Sequence, residues 1–104
     1  MVGIGGIGMS ALARYFLAQN WAVTGSDLAA SSITRALSKV GIRVKIGHKS
    51  GNFVKGTDLV VRTAAVPITH PEIQEAMRLQ VPVQTYPEAL GEIDAIAKAL
   101  EQPF

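Results

Sequence analysis

Apolar and polar positions follow two rhythms along this chain. A short apolar run at residues 2–4, "VGI", reads as a first strand. Between about residues 8 and 20 the apolar positions Met9, Leu12, Ala13, Phe16 and Leu17 recur at helical spacing, which predicts one buried helix face. "WAVTGS", residues 21–26, carries β-branched residues and reads as a strand. Ser31 or Ser32 then caps a second helix with Ile33, Leu37 and Val40 on its apolar face, and Gly41 ends it. "IRVKI" alternates as a strand over residues 42–46, and residues 47–56 read as a loop or short turn. "DLVVRTA" places a buried strand at residues 59–63. A loop at 67–71, a helix at 72–79 and a fifth strand in "VPVQTY" follow. Pro87 opens a last helix that runs to about residue 100, and Pro103 closes the chain. Five strands interleaved with helices predict an α/β fold: a Rossmann-like three-layer domain with a parallel five-stranded sheet and right-handed crossovers.

Composition narrows the setting. The 104 residues suit one compact domain, and 48% hydrophobic residues suffice for a core. Charged residues are 17%, below the usual share of about a quarter. Ten basic and eight acidic residues leave a net charge of +2, and no block of like charge stands out. Nucleic acid is therefore not an expected partner. The chain has no cysteine, which rules out disulfides, thiolate metal sites and thiol nucleophiles and fits a reducing cytoplasm. No apolar run approaches the ~18–20 residues of a membrane span. The first charge, Arg14, follows the apolar amino terminus, the reverse of a signal peptide.

The glycines carry the chemistry. Four of them, Gly3, Gly5, Gly6 and Gly8, fall within the first eight residues. Each costs roughly 0.5–1 kcal/mol relative to alanine inside regular structure, so something there needs bare backbone. Gly3, Gly5 and Gly8 form G-x-G-x-x-G between a predicted strand and a predicted helix. In that context the first glycine makes the tight turn, the second lets backbone approach a diphosphate, and the third lets the helix pack on the strand. The N–H groups of the first helical turn then face the anion. The plainer alternative is a tight turn that binds nothing. Asp27, nineteen residues after Gly8 in "TGSDL", reads equally as an acceptor for ribose hydroxyls or as a cap for the following turn. Ser26 bonds a base or ribose, or merely finishes its strand. These features alone also suit an NAD-binding domain of a dehydrogenase or sensor.

Other candidate chemistry is weaker. "GNFVKGT", residues 51–57, resembles a P-loop but lacks the lysine after its second glycine, so it reads as a surface loop. His48 and His70 have no cysteine and no suitably spaced histidine beside them, which argues against zinc. His70 with Pro71 shapes a loop. Glu88 with Glu92, and Asp94 with Lys98, lie four apart and read as solvated helix pairs. Arg14 reads as exposed, and Arg62 as a strand-end residue reaching solvent. Trp21 and Tyr86 are isolated aromatics that make no base-stacking platform, and Trp21 suits a sheet edge or core.

"VGIGGIGMSALA", "TGSDL", "GIRVKIGH", "DLVVRTAAVPITHPEI" and "VPVQTYPEALGEI" together resemble the first domain of the Mur ligases of peptidoglycan synthesis, over residues 2–93. The resemblance implies a ligand other than NAD: the UDP part of UDP-N-acetylmuramate. The diphosphate would sit on backbone amides of Gly5, Gly6, Ile7, Gly8 and Met9. Ser26 and Asp27 would face the ribose or uracil, and His48 would lie near the uridine. Thr63, Ala64 and Ala65 would line the cleft. Residues 1–104 would then be a UDP-N-acetylmuramate-binding domain without a cofactor of its own. In such ligases ATP phosphorylates the muramoyl carboxylate, and the amine of L-alanine attacks the acyl phosphate. ATP and magnesium belong to a central domain, and the amino acid to a C-terminal domain. This sequence starts almost inside its first strand and ends at "DAIAKALEQPF", before either domain. The expectation is a cytoplasmic ligase fragment that binds the nucleotide substrate and does not ligate.

Overall fold

The structure is a computed structural model that describes residues 1–47 and 49–101, with side chains except at 50 and 94–101. Helix α1 (Ile7–Ala18) buries Met9, Leu12 and Ala13, the stripe its spacing predicts. It closes at Asn20, whose φ of 67° turns the chain so that Trp21 N–H donates to Phe16 O at 3.0 Å. Trp21 is thereby spent on the helix end. Its ring packs on Phe16 with centroids 5.6 Å apart, and strand β1 begins later than expected, at Thr24–Asp27.

Helix α2 (Ser32–Lys39) starts on a capping box. Ser31 Oγ accepts from Thr34 N–H at 3.2 Å, and Thr34 Oγ1 accepts from Ser31 N–H at 2.8 Å. This satisfies two amides that the helix itself leaves open. The helix leads into strand β2 (Arg43–Ile46), which pairs in parallel with β1. A 3-10 turn at Ser50–Asn52 precedes strand β3 (Val60–Arg62). Helix α3 (Pro71–Arg78) connects β3 to its parallel partner β4 (Val83–Thr85). His70 does more than shape a loop: its Nδ1 accepts Glu72 N–H at 3.1 Å, and Pro71 takes the first helical position. Helix α4 (Tyr86–Glu101) follows at once. Its start one residue before Pro87 is set by Thr85 and Glu88. Thr85 N–H donates to Glu88 Oε1 at 3.2 Å, and Glu88 N–H donates to Thr85 Oγ1 at 3.3 Å.

The predicted five-stranded sheet is not what forms. Among the described residues there are two parallel pairs, and the expected first strand at residues 2–4 contributes Val2 alone, bridging Ser26 on one side and Arg62 on the other. The cause is Gly3. Val2 pairs as a strand residue should, its N–H donating to Val61 O at 2.8 Å and its C=O accepting Thr63 N–H at 3.3 Å. Gly3 then takes φ +83°, a left-handed conformation that ends extended backbone. The amides of Gly3 and Ile4 both turn onto Ser26 O, at 2.9 and 3.0 Å.

The spatial order is therefore β2, β1, Val2, β3, β4. Consecutive residues of β3 serve opposite faces, as strand geometry requires. Val60 joins Val2 with Ile73 and Ala76 of α3. Val61 joins Met9 and Leu12 of α1 with Ala89 of α4. A third cluster sets Ile4 and Ala13 against Leu37 of α2 and Ile42. Helices thus cover both faces, in three layers. The chain runs outward from Val2 in both directions, so the crevice of an open α/β sheet belongs beside Val2, at the carboxyl ends of the strands.

Candidate functional site

The glycine loop occupies that end. It leaves Val2, turns at Gly3 and enters α1 through Gly6, which has φ −70° and ψ 153° and makes no side-chain cap. Ser10 N–H is the first to close onto the helix, donating to Gly6 O at 2.8 Å. The amides of Ile7, Gly8 and Met9 precede that bond, so helix geometry gives them no carbonyl four residues back. No acidic residue lies in this first turn. The positive end of the helix dipole and its open N–H groups therefore point to an anion. Gly6 and Ile7 are exposed, Ile7 to 82%, while the Met9 side chain is buried in the core. Met9 can offer a ligand only its backbone.

Gly5 and Asp27 form the join between loop and sheet. Gly5 N–H donates to Asp27 Oδ2 at 2.7 Å, and Leu28 N–H donates to Oδ1 at 2.7 Å. A Cβ on Gly5 would stand 2.7 Å from Oδ2 and 3.1 Å from Thr34 Cγ2. The second glycine is therefore bare to admit this carboxylate. Of the two roles the sequence left open for Asp27, the turn-capping one is present. About four lone-pair sites on a carboxylate leave acceptors over for a hydroxyl.

Gly8 also differs from expectation. It makes room for Tyr86 of α4 rather than for a strand: a Cβ there would stand 2.9 Å from both Cζ and Oη of the phenol. The sequence marks Tyr86 only as an isolated aromatic at the end of a predicted strand, because it carries no periodic signal.

Ser26 is 2% exposed and its backbone is committed to Met1, Gly3 and Ile4. Thr63 is half-buried and its side chain packs on Gly3, where a Cβ would meet Cγ2 and Oγ1 at 3.0 Å. Ala64 and Ala65 are exposed in the turn that follows, closed by Val66 N–H to Thr63 O at 3.1 Å. Arg62 does not simply reach solvent. Its Nη1 donates to Val66 O at 2.9 Å and ties the same turn. The structure thus brings together the loop, Ser26, Asp27 and Thr63 with its turn. His48 lies outside the described residues.

Electrostatics at the two sheet ends differ. At the carboxyl end, hydrogen bonds from Thr85, with the Arg62 charge nearby, hold the Glu88 carboxyl below its usual range. At the amino end, burial lowers the Met1 amino group from 8.0 to about 6, partly opposed by the Glu72 carboxylate. That amine donates to Thr24 O at 2.8 Å. Beside it lies a cavity of about 240 Å³ lined by Phe16, Trp21, Val23, Thr24 and Leu59, at the opposite end of the sheet from the glycine loop. Among the described residues no three His, Cys, Asp or Glu side chains come together to hold a metal ion. Among those residues, too, no helix is long and apolar enough to cross a membrane.

Known proteins match this arrangement. The family model for the Mur ligase family, catalytic domain, covers residues 1–96. The UDP-N-acetylmuramate–L-alanine ligase of Blochmanniella floridana is 44% identical over 92 residues, 88% of this chain and 19% of that protein. The ligase of the same name from Pelobacter propionicus is 48% identical over 92 residues, 88% of this chain and 20% of that protein. Among solved structures, the UDP-N-acetylmuramate-alanine ligase of Thermotoga maritima matches with a TM-score of 0.82 and 35% identity, covering 93% of this chain and 22% of that one. The chain spans about a fifth of the length of the curated relatives it matches. On the extent of the family match, the chain belongs to the Mur ligase family.

Proposed function

We propose that residues 1–104 are the UDP-N-acetylmuramate-binding domain of an ATP-dependent ligase that adds L-alanine in peptidoglycan synthesis. The observation that carries this is the uncapped, acid-free amino end of α1 on a glycine loop latched to Asp27, in a chain similar to ligases of that name. The diphosphate rests on the amides of Gly5, Gly6, Ile7, Gly8 and Met9, with the Gly5 amide shared between ligand and Asp27 and the Gly6 amide between ligand and Gly3 O. Asp27 accepts from the ribose through its remaining lone pairs, Ser26 and His48 lie toward the uridine, and the turn of Thr63, Ala64 and Ala65 closes the cleft. Val2, bridging Ser26 and Arg62, stands where the central one of five strands would lie. ATP and magnesium act on the rest of a longer cytoplasmic ligase, so this chain binds without catalysing.

Calorimetric titration tests the reading, with UDP-N-acetylmuramate, UDP and NAD as ligands. The two uridine nucleotides are expected to bind more tightly than NAD. Tighter binding of NAD refutes the proposal in favour of a dinucleotide-binding domain.

A further inference from the structure

Tyr86 is more than core filling. Its ring packs against the cluster of Met9, Leu12, Val61 and Ala89. Its hydroxyl end passes beyond that cluster onto the first turn of α1, 2.9 Å from where a Cβ of Gly8 would stand. Helix Cβ bonds tilt toward the amino terminus. The phenol oxygen therefore sits over the turn whose amides have no partner within the helix. Two features hold it there. Tyr86 is the first residue of α4, fixed by the reciprocal bonds of Thr85 and Glu88. Thr85 in turn is in register with Arg62, next to Val2.

Tyr86 is half-buried, and among the described residues its hydroxyl makes no hydrogen bond and is not sealed from solvent, so it is open to a ligand. We infer that Tyr86 is a ligand-contacting residue: its hydroxyl donates a hydrogen bond to an anionic phosphate oxygen bound at the amino end of α1. The third glycine of the loop is then explained by the phenol it admits. The inference rests on the nucleotide reading above. It adds a neutral, directional donor to a cradle otherwise made of backbone amides. A hydrogen bond to a charged acceptor is among the stronger kinds.

The test compares the wild-type chain with Tyr86→Phe, which keeps the ring over Gly8 and removes only the oxygen. Both are titrated with UDP-N-acetylmuramate, inorganic diphosphate and uridine, and both are melted. Tyr86→Phe is expected to melt within about 2 °C of wild type. It is expected to bind both phosphate ligands about tenfold more weakly and uridine unchanged, a pattern that general loosening of the fold does not produce. In the wild-type chain labelled at tyrosine Cζ, the Tyr86 resonance is expected to shift on adding diphosphate. Unchanged phosphate affinity in Tyr86→Phe, or a resonance that stays put while diphosphate binds, overturns the assignment and leaves the cradle standing. Equal weakening for uridine makes Tyr86 a packing residue and also overturns it. A wild-type chain that binds neither phosphate ligand overturns the nucleotide reading, and Tyr86 with it.

Discussion

Replacing Asp27 with alanine tests how the glycine loop is held. One carboxylate accepts two backbone amides at 2.7 Å, from Gly5 and from Leu28. Hydrogen bonds to charged groups contribute about 1.5–3 kcal/mol each. The Leu28 amide is on an exposed residue, so water replaces most of that bond. The Gly5 bond is part-buried, so water replaces less of it than of the Leu28 bond. The sum is about 2–3 kcal/mol. For a domain near 100 residues, 1 kcal/mol moves the Tm by about 4–8 °C, so Asp27→Ala is expected to melt about 8–24 °C early. Asp27→Asn keeps one acceptor oxygen without the charge and is expected to lose about half as much. Thermal unfolding followed by circular dichroism gives the magnitude, and amide exchange at Gly5 gives the location. A Tm within about 2 °C of wild type, with Gly5 exchange unchanged, refutes the latch. The result also governs how binding data are read, because an Asp27→Ala chain loses nucleotide affinity through a disordered loop as well as through any lost ribose contact.

Further outcomes follow from other residues. In a chain prepared to begin with a free amine at Met1, burial lowers the pKa of that amine from 8.0 to about 6 on folding. Between those values the unfolded chain binds more protons, so stability rises with pH across that window, by about 3 kcal/mol at 1.36 kcal/mol per unit. Urea unfolding at several pH values measures the rise, and acetylating the amine is expected to abolish it. Gly25→Ala drives a Cβ to 2.9 Å from Ile4 Cβ and 3.0 Å from Ile4 Cγ2. Overpacking there is expected to cost about 1–3 kcal/mol in denaturant titrations, partly recovered by Ile4→Val. Ser31→Ala removes the α2 cap and is expected to cost about 1 kcal/mol, while Ser31→Asp retains most of the stability.

Much of the fold was legible where one face is buried and the period is strict. The α1 stripe of Met9, Leu12 and Ala13, a serine cap at Ser31 or Ser32 and the apolar pair Val60–Val61 were all readable, because burial and capping act locally along the sequence. The first strand was not. "VGI" looks extended, yet one left-handed glycine decides its length. Trp21 looked like the start of a strand because aromatic residues favour sheets, but contact with Phe16 claims it for a helix end. Within the site, the glycine loop and Asp27 were visible as a spacing, and their mutual hydrogen bond was not. Nor was Tyr86, since its role depends on α4 folding back onto α1, a contact that no local pattern encodes. Arg62 was noticed as an oddity in an apolar strand. Its purpose, tying the turn at Val66, appears only when the turn is formed.

The central claim is that backbone amides at the start of α1 hold a diphosphate. The most direct measurement is an amide-resolved NMR titration of the wild-type chain with UDP-N-acetylmuramate. Shifts concentrated at Gly5, Gly6, Ile7, Gly8 and Met9, and at Asp27, are the predicted result. Saturable binding with shifts elsewhere, such as the cavity beside Trp21 and Leu59, and with these amides unmoved, would contradict it.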